Sequence, residues 1–452
     1  MTMSAERGVA RSPGITYQQL LDADTRPVPA VLRLETPAFL GDGADVSKDR
    51  YTTKEWHDLE VERLWKRVWQ FACREDEIPE VGDYAIYDIA RLSFIVVRQP
   101  DGSVKAFPNA CLHRGRRLKD YEGHCSEMRC NFHGFAWRLD GSLQDIPARW
   151  DFEHVSDDEF HLPDIQVATW AGFVFINPDP NAQPFAEFAK DLIEHFEVWP
   201  LGELCTESRV AKVIPANWKI AQEAFCEAYH VSGTHPQIMY YLGDTNSQVD
   251  VWENCARVIS PGGTPSPLLD SEPTSDAMFR SMLDLREEEE LPVHVADGLT
   301  MRATAAQMAR ERWRPIVGDK VEKMSDAEMM DALDYTLFPN FHPWGAFNRI
   351  VYRFRPNGDD HRSAIMEIFM LAPWSGDTKP VPSPLHMLEE HETFSDASEL
   401  GMLGKVFDQD LFNMGRVQMG LEATFKPGVT LSNYQEGKVR WLHHRLGEWV
   451  EG

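Results

Sequence analysis

The sequence predicts an α+β protein: a small antiparallel β unit followed by a larger unit in which helices flank antiparallel strands. Three observations carry this reading. Between residues 69 and 180, short β-rich runs alternate with turn residues. Strand-like runs return at 349–354 and 364–371 after a long helical stretch. The end of the chain, from near residue 385, is helical in pattern.

Bulk composition bounds the answer. At 452 residues, with 43% hydrophobic residues, 14 Trp and 24 Phe, the chain is long enough for two or three domains and a large core. Its net charge is −27, from 72 acidic and 45 basic side chains. Phosphate contacts need clustered Lys and Arg, so neither nucleic acid nor an anionic membrane surface is an expected partner. Seven cysteines form no disulfide framework of the small secreted type, which points to reduced thiols in a cytoplasm. Residues 1–25 lack a signal-like apolar core, and no run reaches the roughly 18 apolar residues of a membrane span. A soluble, cytoplasmic protein is expected.

In chain order, residues 1–68 read as a Pro/Gly/Ala-rich arm and a helix, the latter from Trp56, Leu59, Val61, Leu64, Trp65 and Val68 at helical spacing over 53–69. Residues 69–180 form the β unit, with strands at 84–89, 93–98, 104–107, 135–139 and 169–176, and a turn at Asp101-Gly102. Residues 181–452 form the larger unit. A helix is expected over 218–229, ended by Gly233 and Pro236, then a loop near 260–275 and a charge-rich helical insertion at about 276–333.

Two Cys–His pairs lie on loops of the β unit: Cys111-Leu-His113-Arg-Gly115 and Cys130-Asn-Phe-His133-Gly134. Thiolate and imidazole suit both zinc and a [2Fe–2S] cluster with two His on one iron. In the common zinc finger, the cysteines sit together and the histidines sit together. Here each loop supplies one of each, which favours a binuclear cluster gripped from both sides. Gly115 and Gly134 permit close backbone approach, so that amides can point at sulfur.

A second constellation follows in Asn217-Trp-Lys-Ile-Ala-Gln-Glu223-Ala-Phe-Cys-Glu227-Ala-Tyr-His230-Val-Ser-Gly-Thr-His235-Pro. Glu227 and His230, three apart, share a face if the segment is helical. His235, past Gly233, can swing back to the same point. Two imidazoles with one distant carboxylate make the facial triad of non-haem Fe(II) enzymes, with positions left open for O2.

Together these stretches resemble the Rieske non-haem iron ring-hydroxylating oxygenases, large (alpha) subunit. Cys111-x-His113-Arg-Gly and Cys130-x-x-His133-Gly-x-x-Trp137 are similar to the Rieske [2Fe–2S] motif, without the extra cysteine pair of respiratory Rieske proteins. N-W-K followed by E-x-x-x-E-x-x-H-x-x-x-x-H-P is similar to that family's mononuclear iron segment. Glu227 stands where much of the family has Asp, and Ala224 where many members have Asn. The run from Phe407 to Gln418 resembles the distal segment that supplies the third iron ligand. Asp410 is the matching residue, with Asp408 as its neighbour and competitor.

The resemblance implies an antiparallel β Rieske domain and a catalytic domain of helix-grip type, with a central antiparallel sheet flanked by helices. It implies cluster ligands Cys111, His113, Cys130 and His133, and iron ligands His230, His235 and Asp410. Glu227 would bridge His230 to His133 of a neighbouring subunit, in a homotrimer or an α3β3 assembly. Electrons would come from NAD(P)H through a reductase or ferredoxin, and O2 would hydroxylate or dealkylate an aromatic or other small hydrophobic substrate. Phe225, Met239, Phe338, Phe341, Trp344 and Phe347 are candidate pocket residues, and Arg349 and Arg353 candidate anchors for a carboxylate. Two other classes stay open on the residues alone: a Rieske-type electron carrier whose second metal site is structural, and a zinc hydrolase.

Overall fold

The structure, a computed structural model, describes residue 12 and residues 14–295, 297–346, 348–374 and 379–452. From residue 14 onward the arm is packed down. Helix α1 (Tyr17–Asp22) starts in a capping box on Thr16 and buries Tyr17 and Leu21. Thr25 then donates from both its amide and its hydroxyl to Asp326. Helix α2 (Lys54–Glu60) opens with Thr53 accepting from the Trp56 amide and continues as one wide turn over Val61–Trp65. It stops short of the expected residue 69 because Gln70 donates its side-chain amide to the Trp65 carbonyl and begins a strand.

That strand is β1 (Gln70–Arg74). Strands β2 (Asp83–Ile89), β3 (Leu92–Arg98) and β4 (Val104–Pro108) form the expected antiparallel meander. Short strands at Met128–Arg129, Ala136–Trp137 and Leu143–Asp145 make a second sheet. The run 169–176 is not one strand. It belongs to a hairpin, β5 (Gln166–Trp170) and β6 (Phe173–Asn177), with β6 also paired to β1. Trp170 and Phe173 pair directly, so Ala171 and Gly172 alone make the turn, with φ of 52° and 80°. This is the positive-φ geometry that two-residue hairpins favour.

The larger unit is built on a five-stranded sheet. Its members are β7 (Leu204–Ile214), β11 (His342–Pro343), β12 (Ile350–Asn357), β13 (Asp360–Pro373) and β14 (His386–Leu388), in the order β11-β12-β13-β7-β14. All pairings are antiparallel except β7 with β14. Between β7 and β11 come helix α3 (Trp218–Glu223), strands β8 (Gln248–Val251) and β9 (Cys255–Ser260), helix α4 (Met301–Val317) and strand β10 (Ala332–Leu337). Strands β8, β9 and β10 form their own antiparallel sheet. Helices α5 (Leu403–Ala423) and α6 (Gly437–Val450) close the chain.

Two further expectations are corrected. The final helical stretch does not begin near 385, because β14 and two single turns precede α5. Nor does one helix run from 218 to 229, since α3 ends at Glu223. The Phe225 and Cys226 amides bond carbonyls three residues back, and the Glu227 carboxylate takes the His230 amide, so side-chain capping replaces the next helical turn. The insertion carries helices at Ser275–Met282, α4 and Asp326–Met330, with irregular chain over 283–295 and 297–300.

Two apolar cores dominate among the described residues, with four smaller clusters beside them. A small one joins Ile95, Phe107, Phe135 and Trp137 beneath the Cys–His loops, and a large one unites the main sheet with the β1–β6 hairpin sheet. Within the large core, Arg353 is 2% exposed and ties β12 to β1, pairing with Glu367 and donating to the Phe71 carbonyl. It is neither a solvated sheet residue nor available to an outside carboxylate. No helix among the described residues is long and apolar enough to cross a membrane.

Candidate functional site

The two Cys–His loops share one backbone design. The Cys111 amide donates to the Arg116 carbonyl and the Gly115 amide to Cys111; likewise Cys130 donates to Phe135 and Gly134 to Cys130. Both glycines hold positive φ, 76° and 82°, which closes each loop tightly. The loops bring like donors together. His113 and His133 pack with ring centroids 4.6 Å apart, and the Cys111 and Cys130 side chains lie near enough to act on each other electrostatically.

Burial pushes the Cys111 thiol up, and the Cys130 side chain adds to this, against the backbone amides of His113 and Arg114 that point at the sulfur. His113 stacks on Phe135 at 4.6 Å, and its Nδ1 is buried without a hydrogen-bond partner. A buried, unpaired ring nitrogen and sulfur-directed amides fit a cluster with two thiolates on one iron and two imidazoles on the other. A single tetrahedral zinc fits less well. Among the described residues, the one set of three or more donors within 4.8 Å of one another lies elsewhere, at His230, His235 and Asp410.

That second set comes from three places. His230 stands at the head of the single helical turn Val231–Thr234, His235 at its end, and Asp410 in the middle of α5. Along α5 the buried positions are Gly404, Phe407, Asp410, Met414 and Gln418, one stripe at helical spacing. Asp410 and Gln418 are the polar members of that stripe. Gln418 accepts from the Asn217 amide and so ties α5 to the start of α3. Asp408 points elsewhere: its carboxylate accepts from the amides of Phe394 and Ser395.

Both imidazoles turn Nε2 toward Asp410 Oδ1, at 2.9 Å from His235 and 3.5 Å from His230. Their other nitrogens are held from behind. His230 Nδ1 lies 2.7 Å from Glu227 Oε1, and His235 Nδ1 lies 2.8 Å from Gln409 Oε1. With Nδ1–H donated outward, two Nε2 lone pairs and a carboxylate face one point, an arrangement that calls for a cation there. Burial opposes charge on His230, but the Asp410 and Glu227 carboxylates outweigh it and push this group up to about 10. Burial would likewise raise Asp410, yet the two imidazoles hold it below the usual carboxylate range.

Comparison with known proteins then decides the family. The family described as ring hydroxylating alpha subunit (catalytic domain) matches residues 201–452, and the Rieske [2Fe-2S] domain matches residues 68–156. The chain belongs to the ring hydroxylating alpha subunit family. The two matched domains imply a Rieske cluster and a mononuclear iron as cofactors, which the donor sets fit.

Among family relatives, the anthranilate 1,2-dioxygenase large subunit of Acinetobacter baylyi is 32% identical over 198 residues, 42% of each chain. The carnitine monooxygenase oxygenase subunit of Escherichia coli is 31% identical over 189 residues, 41% of this chain and 50% of that one. The matched stretches thus span about half or less of these relatives' own length. A solved quaternary ammonium Rieske monooxygenase superposes with a TM-score of 0.64 at 17% identity, over 90% of this chain and 95% of that one. Naphthalene 1,2-dioxygenase with indole bound gives 0.61 at 19%, over 90% and 92%. At such identities the likeness establishes the fold.

A cavity of ≈ 140 Å³ opens beside His230, His235 and Asp410. Of the aromatics expected there, Phe225 and Trp344 line it. Phe341 packs instead among Phe71, Phe173 and Phe175, Phe338 against Trp441, and Met239 with Ala228 and Val231. Phe347 lies outside the described residues. Arg349 donates to the Leu371 carbonyl and covers Trp313, away from the cavity. Sequence reasoning missed Tyr352, Phe407 and Asp334 in the lining, and Gln409 behind His235. Gln409 had one signal, its place directly before Asp410.

Proposed function

We propose that this chain is the oxygenase component of a Rieske non-haem iron system, hydroxylating or oxidatively dealkylating a small hydrophobic, aromatic-type substrate. The observation that carries the reading is the meeting of His230, His235 and Asp410 within 4.8 Å beside a mostly apolar cavity, in a chain that also holds the paired Cys–His loops.

In this reading, residues 1–68, 69–180 and 181–452 are an arm, a cluster domain and a catalytic domain. Cys111, His113, Cys130 and His133 hold the cluster, and His230, His235 and Asp410 hold Fe(II). The bound centres supply one-electron storage and O2 activation. Glu227 accepts the proton-bearing Nδ1 edge of His230, fixing its tautomer and turning Nε2 inward. Gln409 orients His235 in the same way. Phe225, Trp344, Tyr352 and Phe407 wall the cavity with hydrocarbon, keep water away and hold a flat apolar substrate.

Glu227 is also the residue that would face the His133 edge of a neighbouring subunit, in a homotrimer or α3β3 assembly. The exposure of His133 and the 56% exposure of Phe132 beside it support a docked cluster edge. Electrons would come from NAD(P)H through a reductase or ferredoxin. Seven free cysteines support a reducing cytoplasm as the setting.

The test is an absorption and EPR spectrum of the purified protein, with iron, zinc and acid-labile sulfide assayed on the same sample, then O2 uptake with a substrate panel and an added chemical reductant that keeps the cluster reduced. About two sulfides and up to three irons per chain, with substrate-dependent O2 uptake, support the reading. A cluster without O2 uptake would leave an electron carrier, and colourless zinc protein would remove the reading altogether.

A further inference from the structure

A second groove, of ≈ 830 Å³, shares no lining residue with the cavity beside His230, His235 and Asp410. The start of β7, the end of α4 and the end of β13 all contribute to it. Its size falls within the roughly 300–1,000 Å³ of small-molecule sites. The wall is mainly apolar, with Val198, Leu201, Ile316, Val317, Met324 and Trp374 among its members. Ile316 is 54% exposed and Val198 49%, so hydrocarbon here faces open space.

The charges on the same groove are not balanced within the chain. Glu203 and Lys320 pair with each other at 3.4 Å. Glu328 is held by the protein, since it accepts from the Trp199 indole and from the amide and hydroxyl of Ser325. Lys323 and Arg349 remain, and neither has a carboxylate partner among the described residues. In a chain with a net charge of −27, two unpaired cations on one apolar groove are a local exception.

Arg349 is the fixed member of the two. Its guanidinium lies 4.3 Å over the Trp313 ring, and its Nη1 donates to the Leu371 carbonyl at 2.7 Å. Those contacts set the plane of the group in advance. Its Nε is sealed from solvent, whereas Nη2 is neither sealed nor bonded among the described residues. Burial weakens the charged form of Arg349, and Glu207 attracts it only through space while Arg312 repels it. A carboxylate on Nη2 would supply the missing counter-charge through a charge-assisted hydrogen bond.

We propose that this groove is a second binding site, separate from the reaction cavity, for a carboxylate carrying an apolar chain or ring. Arg349 holds the carboxylate, Lys323 adds attraction from the rim, and Val198, Ile316 and Trp374 cover the hydrocarbon. The inference does not depend on the oxygenase reading.

Octanoate, 1-octanol and acetate separate the two contributions. The alcohol has the chain without the charge, and acetate has the charge without the chain. Calorimetric titration of each into the metal-loaded protein under anaerobic conditions reads binding without turnover. Octanoate should bind at least about tenfold more tightly than 1-octanol, with an advantage that shrinks as salt rises. Acetate should bind far more weakly than either. Arg349→Gln should bring octanoate down to the level of 1-octanol and leave 1-octanol unchanged. Ile316→Glu places a like charge on the wall at an exposed position, and should weaken octanoate several-fold. It keeps the test decisive if the Arg349 variant fails to fold. Asp410→Ala, which alters the reaction cavity, should leave octanoate binding as it was. Equal binding of octanoate and 1-octanol, or acetate binding as tightly as octanoate, overturns the proposal. So does an octanoate affinity that survives Arg349→Gln and is lost in Asp410→Ala, because the ligand then sits at the reaction cavity.

Discussion

His235 Nε2 stands 2.9 Å from Asp410 Oδ1, although 175 residues separate them in sequence. The contact joins the turn after α3 to the middle of α5, and α5 fixes both partners. Gln409 holds the far side of His235, and Asp410 sits 4% exposed in the buried stripe of its helix.

Asp410 and Asp408 should therefore part company on substitution. Asp410→Ala removes the carboxylate that faces both Nε2 atoms and should empty the mononuclear site, leaving about two sulfides per chain untouched. Asp408→Ala should retain full iron and lose about 1–3 kcal/mol of stability, since it strands the Phe394 and Ser395 amides. Iron and sulfide assays with urea unfolding measure both. Loss of mononuclear iron in the Asp408 variant instead would reverse the assignment.

Glu227 holds His230 through two contacts, its ring at 2.7 Å and its backbone amide at 2.9 Å. Glu227→Gln retains the shape and one acceptor but removes the charge that raises imidazole basicity and would couple to a neighbouring subunit. Both metals should stay bound while product formation falls by about 10–100-fold, a usual cost of losing the group behind a ligating His. The informative quantity is the rate at which the reduced cluster reoxidises when O2 and substrate are mixed in. Unchanged turnover would leave Glu227 a purely structural cap.

The candidate donors Cys111, His113, Cys130, His133, His230 and His235 stand out because ligand spacing is a local property of sequence, whereas Asp410 comes only through the resemblance of its segment. The meander β2–β4 was legible too, since alternating runs and Asp-Gly turns are short-range signals. What stayed hidden depends on long-range partners. The helical pattern read from 385 onward cannot reveal that β14 finds an open parallel edge on β7. The 218–229 helix failed because Glu227 caps a turn instead of continuing the spiral, a choice made with His230. The cavity lining was half missed for the same reason: Asp334, Tyr352 and Phe407 come from three elements that only tertiary packing brings together.

Glu367 offers a test of the buried electrostatics. It is fully buried and receives Arg353 through two nitrogens, with Arg209 and Arg355 as further donors. Burial alone would raise its carboxyl, but the Arg353, Arg355 and Arg209 guanidiniums hold it well below the ordinary range. The sign follows: the unfolded chain takes up a proton near pH ~4.3 while the folded chain does not. The stability from this group is therefore complete above that pH and is lost as pH falls toward the folded value. Glu367→Gln should cost about 3–5 kcal/mol near neutrality by leaving buried guanidiniums uncompensated. Its urea midpoint should also fall less steeply than that of the unaltered protein between pH 5 and pH 3. Parallel profiles for the two proteins would mean that Glu367 titrates normally.

The β5–β6 turn gives a prediction of opposite sign at adjacent residues. Ala171 holds φ at 52°, a conformation that costs an L side chain roughly 1–2 kcal/mol, and glycine occupies it freely. Ala171→Gly should therefore stabilise the protein by about 0.5–1 kcal/mol, the strain relieved exceeding the entropy that glycine adds to the unfolded chain. Gly172 is the reverse case. A Cβ there would stand 3.2 Å from both terminal nitrogens of Arg74 at a φ of +80°. Arg74 cannot yield cheaply, because it is buried and donates to Asp76 and to the carbonyls of Ala171 and Leu204. Gly172→Ala should destabilise by about 1–3 kcal/mol, the range for strained backbone positions. Thermal unfolding of the two variants side by side decides it. A lower melting temperature for Ala171→Gly would mean that this turn does not hold the positive φ at Ala171.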